Sequence, residues 1–357
     1  MMKYSKLLSF AIFLTAGLFY SCIDPYEFPF EQESETLVVE GVISNGLGPY
    51  SIRLSTTRPY ETISQASRPA VRGAKVEIAD NTGNREELLE ISPGEYQTSS
   101  QGIQGVPGRE YTLIVETAEG EIYQTSPQRM PQPIPIEEVY VEQSRRTELN
   151  EVGNEVEVSG IEVFVNTQDP ETKGDAYLWN LSGTYQIKTF PELHEEKAPF
   201  GFGFVPAPKD CCATCWVTEL FGKINVENDD FFNGSSLNGR NLGFIPLSTE
   251  RLRVKYLVEV EQLTLSPEAY RFWKAIEDQQ NNVGSIFDPA PARIQGNVRN
   301  VTNPDELVLG FFLVTSKSRV NTAITNADYS LPLPTDAPVN DDCRLLRGAS
   351  ANRPPQF

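Results

Sequence analysis

From Thr36 onward the chain reads as short runs in which apolar and polar residues alternate, punctuated by Gly, Pro, Asn and Asp. Alternation at a period of two sends every second side chain to the same face, the pattern of a strand with one wet side. Thr36 to Ile43 (T-L-V-V-E-G-V-I) predicts a first strand closed by Asn45-Gly46, and Tyr50 to Ser55 predicts a second. Between Val71 and Pro127 follow G-A-K-V-E-I-A, E-E-L-L-E-I, P-G-E-Y-Q-T, G-R-E-Y-T-L-I-V-E and E-G-E-I-Y-Q-T-S. Pro93-Gly94 and Pro107-Gly108 are turn dipeptides between them. Tyr96 and Tyr111 fall at inward positions, with rings to pack and hydroxyls to leave at the rim.

Further strands are predicted over Glu137–Gln143, Glu155–Asn166, Asp175–Lys188, Arg251–Leu263 and Glu306–Ser316. One segment has a helical period instead. Ser266 is suited to the N-cap, Pro267 to the first helical position and Glu268 to the positive end of the dipole. Ala269, Phe272, Trp273 and Ile276 then form one apolar stripe, so a helix is predicted over 267–280, with the stripe facing core and Val283–Pro289 ending it. Short alternating strands with turn residues between them make a mainly β protein built of β-sandwich domains. Met130-Pro131-Gln132-Pro133-Ile134-Pro135 cannot supply a central strand and divides the chain. The expected organisation is an N-terminal sandwich (36–130), a larger C-terminal β-rich domain carrying the helix (136–325), and a proline-rich tail (326–357).

The first 21 residues have another character: Lys3 and Lys6, an uncharged stretch from Leu7 to Tyr20, then Ser21-Cys22. This is the layout of an export signal, and its apolar part is shorter than the roughly 20 residues of a membrane helix. A small residue before a cysteine, after Leu18-Phe19, resembles a bacterial lipobox with Phe at the usual Leu position. Residues 1–21 are therefore predicted to be a lipoprotein signal peptide and Cys22 a lipidated residue; three acyl chains suffice for stable anchoring. Residues 22–35, rich in acids and proline, read as an extended acidic tether.

Charge narrows the function classes. With 30 Lys and Arg against 49 Asp and Glu, the formal charge is −19. No basic run exists to neutralise phosphates, which excludes nucleic-acid binding of the ordinary kind. A single histidine, His194, leaves no material for a His-based triad or zinc site. It lies in P-E-L-H-E-E-K, which lacks the second histidine of H-E-x-x-H, and is expected on a surface loop. No G-x-S-x-G, Walker A or dinucleotide glycine pattern is present, so neither a cofactor nor an enzymatic activity is expected.

The order of several segments resembles a known family. They are Ser21-Cys22 with its tether, L-V-V-E-G-V-I-S-N (Leu37 to Asn45), G-P-Y-S-I-R-L-S (Gly48 to Ser55), G-A-K-V-E-I, P-G-E-Y and G-R-E-Y-T-L-I-V. L-S-P-E-A-Y-R-F-W-K (Leu265 to Lys274), V-G-S-I-F-D-P-A-P (Val283 to Pro291), I-Q-G-N-V and E-L-V-L-G-F-F extend the likeness to nearly the whole chain. They resemble a Bacteroidota family of outer-membrane lipoproteins of unknown function. The resemblance implies an N-terminal sandwich of immunoglobulin-like or transthyretin-like (carboxypeptidase-regulatory-like) type and a TonB-dependent outer-membrane transporter as partner. It implies a surface-facing, lipid-anchored location and supplies no catalytic or binding residues. A noncatalytic accessory role in nutrient uptake is the expectation; a structural or assembly component of the envelope and a surface hydrolase are the alternatives.

Four cysteines remain: Cys211, Cys212, Cys215 and Cys343. In an exported chain an even number suggests two disulfides. Direct bonding of Cys211 to Cys212 is strained, so one of that pair is expected to bond Cys215 and the other Cys343. A four-thiolate zinc site on Cys212-x-x-Cys215 is the rival. Asp80-Asn81-Thr82-Gly83-Asn84 has oxygen ligands at close spacing but not the distal Glu of a calcium loop, and is expected to be a hairpin turn. Asp229-Asp230 is an acidic pair that suits a cation, glycoside hydrolysis or a solvated loop. Phe200-Gly201-Phe202-Gly203-Phe204 alternates rings with glycine. As a strand it aims all three rings at one face, either core or a partner- or ligand-contacting surface, with Trp216 nearby as a further contact residue.

Overall fold

The computed structural model describes residues 35–58, 68–150, 152–282 and 293–357. The predicted leader, Cys22 and all but the last residue of the tether lie outside them, as does Val283–Pro289. The first strands are β1 (Leu37–Ser44), β2 (Ser51–Thr56), β3 (Lys75–Asp80), β4 (Arg85–Glu87), β5 (Leu89–Ser92), β6 (Glu95–Gln97), β7 (Glu110–Glu116), β8 (Ile122–Thr125) and β9 (Gln128–Arg129). The rest are β10 (Ile136–Leu149), β11 (Glu155–Gln168), β12 (Ala176–Lys188), β13 (Glu195–Lys197), β14 (Phe204–Pro206), β15 (Thr214–Asn228), β16 (Ser236–Pro246), β17 (Tyr256–Leu265), β18 (Val298–Asn300), β19 (Leu309–Ile324) and β20 (Ala349–Ser350).

Nine of these strands join one sheet in the order β20-β15-β12-β17-β19-β1-β2-β6-β5. One part of it packs on a six-stranded sheet, β18-β8-β7-β3-β4 with β9 also paired to β7, through a core that includes Val39, Ile52, Leu54, Ile78, Tyr111, Leu113 and Phe312. Another part packs on the three-stranded sheet β10-β11-β16 through Ile161, Val163, Trp179, Tyr256 and Val258. The protein is thus mainly β and built as β-sandwiches. Buried tyrosines keep their hydroxyls at the rim: Tyr96 bonds the Val71 carbonyl at 3.0 Å, and Tyr111 that of Gln104 at 2.9 Å.

Strand β19 connects the two cores. Residues 309–315 pair in parallel with β1, and residues 316–324 pair antiparallel with β17. A parallel pair is buried on both faces, which is why β1 opens Leu-Val-Val and β19 reads Phe-Phe-Leu-Val without strict alternation. Phe312 and Val314 enter the first core, while Phe311 and Leu313 turn to the opposite face. Strand β18 adds to the same sandwich by pairing with β8. The first core is therefore closed by residues from the last fifth of the chain, across the proline strip predicted to divide it. Beside the second core, buried Gln262 accepts from Thr167 Oγ1 (2.7 Å) and Trp179 Nε1 (2.8 Å) and donates to the Ile134 carbonyl (2.8 Å).

The helix, α1, runs Pro267–Asn281, with Ser266 Oγ accepting the Ala269 amide at 3.2 Å. Ala269, Phe272 and Trp273 pack on the outer face of the nine-stranded sheet, the Phe272 ring 4.6 Å from that of Phe311. Among the described residues no helix is long and apolar enough to cross a membrane. Residues 326–357 are tied to the sheet: β20 pairs with β15, and Phe357 is buried.

Candidate functional site

The aromatic segment is a hairpin tip rather than a strand. β13 pairs with β14 in the register Glu195↔Pro206, Glu196↔Val205, Lys197↔Phe204, and Ala198–Gly203 turns between them. Phe200, Gly201 and Gly203 have φ of 82°, 82° and 81°. These left-handed conformations interrupt the alternation that would have sent three rings to one strand face. Phe200, Phe202 and Phe204 are 97%, 90% and 64% exposed. The core alternative is thereby corrected: among the described residues these rings belong to no core cluster.

The hairpin base is held by the tail. Phe190 N donates to the Val339 carbonyl (2.8 Å), the His194 Nδ1 lies 3.0 Å from the Asn340 carbonyl, and Lys209 Nζ bonds Asp341 Oδ1 at 2.6 Å. Hydrogen bonds from Lys209 and the Asp342 amide hold the Asp341 carboxyl below its ordinary value. His194 is thus a strut of the hairpin base.

The cysteines pair differently from the expectation. Cys215 bonds Cys343, 128 positions away with Cα atoms 5.8 Å apart, and Cys211 bonds its neighbour Cys212. Strand β15 sets the pattern: Cys215, opposite Ile187 of β12, is fully buried on the side the tail crosses, and Cys343 meets it there. The Cys343 amide donates to the Cys212 carbonyl at 3.0 Å, leaving Cys211 as the partner within reach of Cys212. With all four sulfurs at disulfide distance, no thiolate remains for the zinc alternative. Trp216 is half-buried, its ring edge-on to Phe357 at 6.4 Å and its strand position paired with Ser350, so the chain's own C-terminal end covers the residue predicted to meet a partner.

Asp229 and Asp230 do not act as a pair. Asp230 is exposed and accepts from Asn228 Nδ2 at 2.6 Å; Asp229 is buried. Asp229 instead meets Asp169 and Asp175, with carboxylate oxygens of all three within 4.8 Å of one another. Gly174 N donates to Asp229 Oδ2 (2.8 Å) and Gly234 N to Asp169 Oδ2 (3.0 Å), both glycines having positive φ. The Tyr177 hydroxyl donates to Asp169, and Asn233 sets its amide 3.1 Å from Asp229 Oδ2. Burial pushes the Asp175 carboxyl up, and the charges of Asp169 and Asp229 push it further against a hydrogen bond from Thr172. These residues, an oxygen-only set, are those with which a hard divalent cation would be held. The pattern D-P-E-T-K-G-D (169–175) supplies two of the carboxylates, and the third comes from the Asp229-Asp230 pair, far away in the sequence.

The arrangement defines a β-sandwich protein that displays an aromatic hairpin. The chain belongs to the family described as Domain of unknown function (DUF4249), whose model matches residues 23–320. No curated protein matches it.

Proposed function

We propose that the protein is a lipid-anchored, noncatalytic accessory of a TonB-dependent outer-membrane transporter in Bacteroidota, presenting a contact surface that helps capture cargo in nutrient uptake. The observation that carries this reading is the set of exposed rings at Phe200, Phe202 and Phe204 on a base braced by the tail. Clustered aromatics left in water are characteristic of interaction sites, and aromatic anchors supply most of the energy of protein interfaces. The address comes from the sequence: the leader 1–21, acylation at Cys22 and the tether 22–35. Leader removal deletes two lysines and no acids, so the mature chain is more acidic than −19 and anionic lipid would not retain it; acyl chains would.

A stable contact buries at least about 1,000 Å². The test is copurification from gently solubilised native membranes. Replacing Phe200, Phe202 and Phe204 together by Ser should leave Tm unchanged and remove the transporter from the pull-down. Cys22→Ala should release the protein from membranes after carbonate washing. Recovery of the wild-type protein alone at every salt concentration would overturn the accessory role.

A further inference from the structure

A cleft of about 690 Å³ opens between the end of β12, the turn after β16 and the tail around Pro334–Val339. That volume lies in the range of small-molecule sites, roughly 300–1,000 Å³. Its walls are largely apolar, with Ile187, Phe190, Leu247, Val339 and Leu346 among them. Set into these walls are three cations, Lys188, Arg251 and Arg253, against two lining carboxylates, Glu250 and Asp336.

The carboxylates are already engaged by the protein. Glu250 Oε1 accepts the Lys188 amide at 2.7 Å, Glu250 Oε2 accepts Arg253 Nε at 2.8 Å, and Asp336 Oδ2 accepts the Glu250 amide at 3.2 Å. Arg251 bonds Glu219 at 2.5 Å from behind the cleft and lies over the Tyr185 ring. The Lys188 ammonium has the Phe190 ring 5.7 Å away and, among the described residues, no carboxylate partner. In a chain of net charge −19, Lys188 is the lining cation left without a carboxylate among the described residues, since Arg251 is bonded to Glu219 and Arg253 to Glu250, and it sits beside an apolar wall. The far wall is fixed in advance: Thr249 N bonds the Pro334 carbonyl (3.1 Å), Phe190 N bonds that of Val339 (2.8 Å), and the Cys215–Cys343 disulfide follows close behind. A pre-ordered wall spares a ligand the cost of ordering it.

We propose that this cleft binds a small organic anion, with an apolar body against Ile187, Phe190 and Leu247 and a single anionic end toward Lys188. The inference does not rest on the transporter reading.

The test uses the mature chain and two dyes of similar body, anilinonaphthalene sulfonate and the neutral phenylnaphthylamine, followed by fluorescence titration. The anionic dye should bind saturably at one site and the neutral dye about tenfold more weakly. Lys188→Glu, at an exposed position without an ion-pair partner, should weaken the anionic dye about tenfold and leave Tm unchanged. Ala337→Trp, which fills the cleft from the tail side, should weaken both dyes; if that variant does not fold, Lys188→Glu decides. Absence of saturable binding, equal affinity for the two dyes, indifference to Lys188→Glu, or loss of the signal in Phe202→Ser instead would each overturn the assignment.

Discussion

Asp80 closes the turn between β3 and β4 by collecting five donors on one carboxylate. Oδ1 accepts Thr82 N (2.9 Å), Thr82 Oγ1 (2.8 Å) and Asn84 N (3.0 Å); Oδ2 accepts Asn84 Nδ2 (2.8 Å) and Arg109 Nη1 (3.1 Å). Burial alone would raise its pKa, but the bonds from Asn84 and Thr82 outweigh it and bring the group from 3.8 down to about 2. A carboxyl with a depressed folded pKa contributes stability that is complete above its unfolded value and is lost as pH falls through the folded one. The interval corresponds to about 2 kcal/mol at neutral pH, after allowance for screening by water close to the turn. Asp80→Asn keeps the shape, removes the charge and points an amide nitrogen at donors. Urea unfolding should show a loss of about 2 kcal/mol at pH 7 and about half of that at pH 3. Equal losses at the two pH values would refute the electrostatic account and leave turn geometry as the cause.

Asp175→Asn should act in the opposite sense. A raised folded pKa makes the ionised form a liability above that pKa and harmless below the ordinary value, so with chelator present the variant should have a higher Tm at neutral pH, converging with wild type in acid. Replacing Cys215 and Cys343 together by Ser removes a closure of 128 positions, worth about 4–5 kcal/mol in unfolded-chain entropy; Tm should fall, and limited proteolysis should cut first in the tail between Pro334 and Leu346. Buried Asn297 bonds both the carbonyl (2.8 Å) and the amide (2.9 Å) of Phe312, so Asn297→Ala should cost about 2–4 kcal/mol and speed hydrogen exchange at the Phe312 amide.

Much of the fold was legible because its signals are local. Period-two runs announced β3, β7 and β11, the apolar run at Leu37 closed by Asn45-Gly46 announced β1, and Ser266-Pro267 announced the helix to within one residue. Gly94 and Gly108 take the positive φ that their Pro-Gly turns imply. The Asp80–Asn84 segment is the hairpin turn its missing distal Glu suggested. Strand β15 went unread because its alternation is broken by exposed Leu220 and by Gly222, and β19 was cut short because its second half faces water through Lys317 and Arg319, which pair with Glu261 and Glu259. The site was harder. Phe-Gly-Phe-Gly-Phe has strand periodicity, yet glycine is also the residue that leaves the strand region most freely, and a pattern cannot say which property operates. Cysteine pairing and the Asp169–Asp175–Asp229 cluster depend on which distant segments meet, and no local pattern states that.

The parallel seam between β1 and β19 has a consequence for how the molecule comes into being. Leu37, Val38 and Val39 are made early, and β2 can cover one side of them at once; the other side waits for a partner that begins at Leu309. Until then β1 is an open apolar edge, the kind of surface on which chains recruit one another into aggregates. A product truncated anywhere before Leu309 keeps that edge for good, and a nascent chain depends on being shielded until β19 arrives.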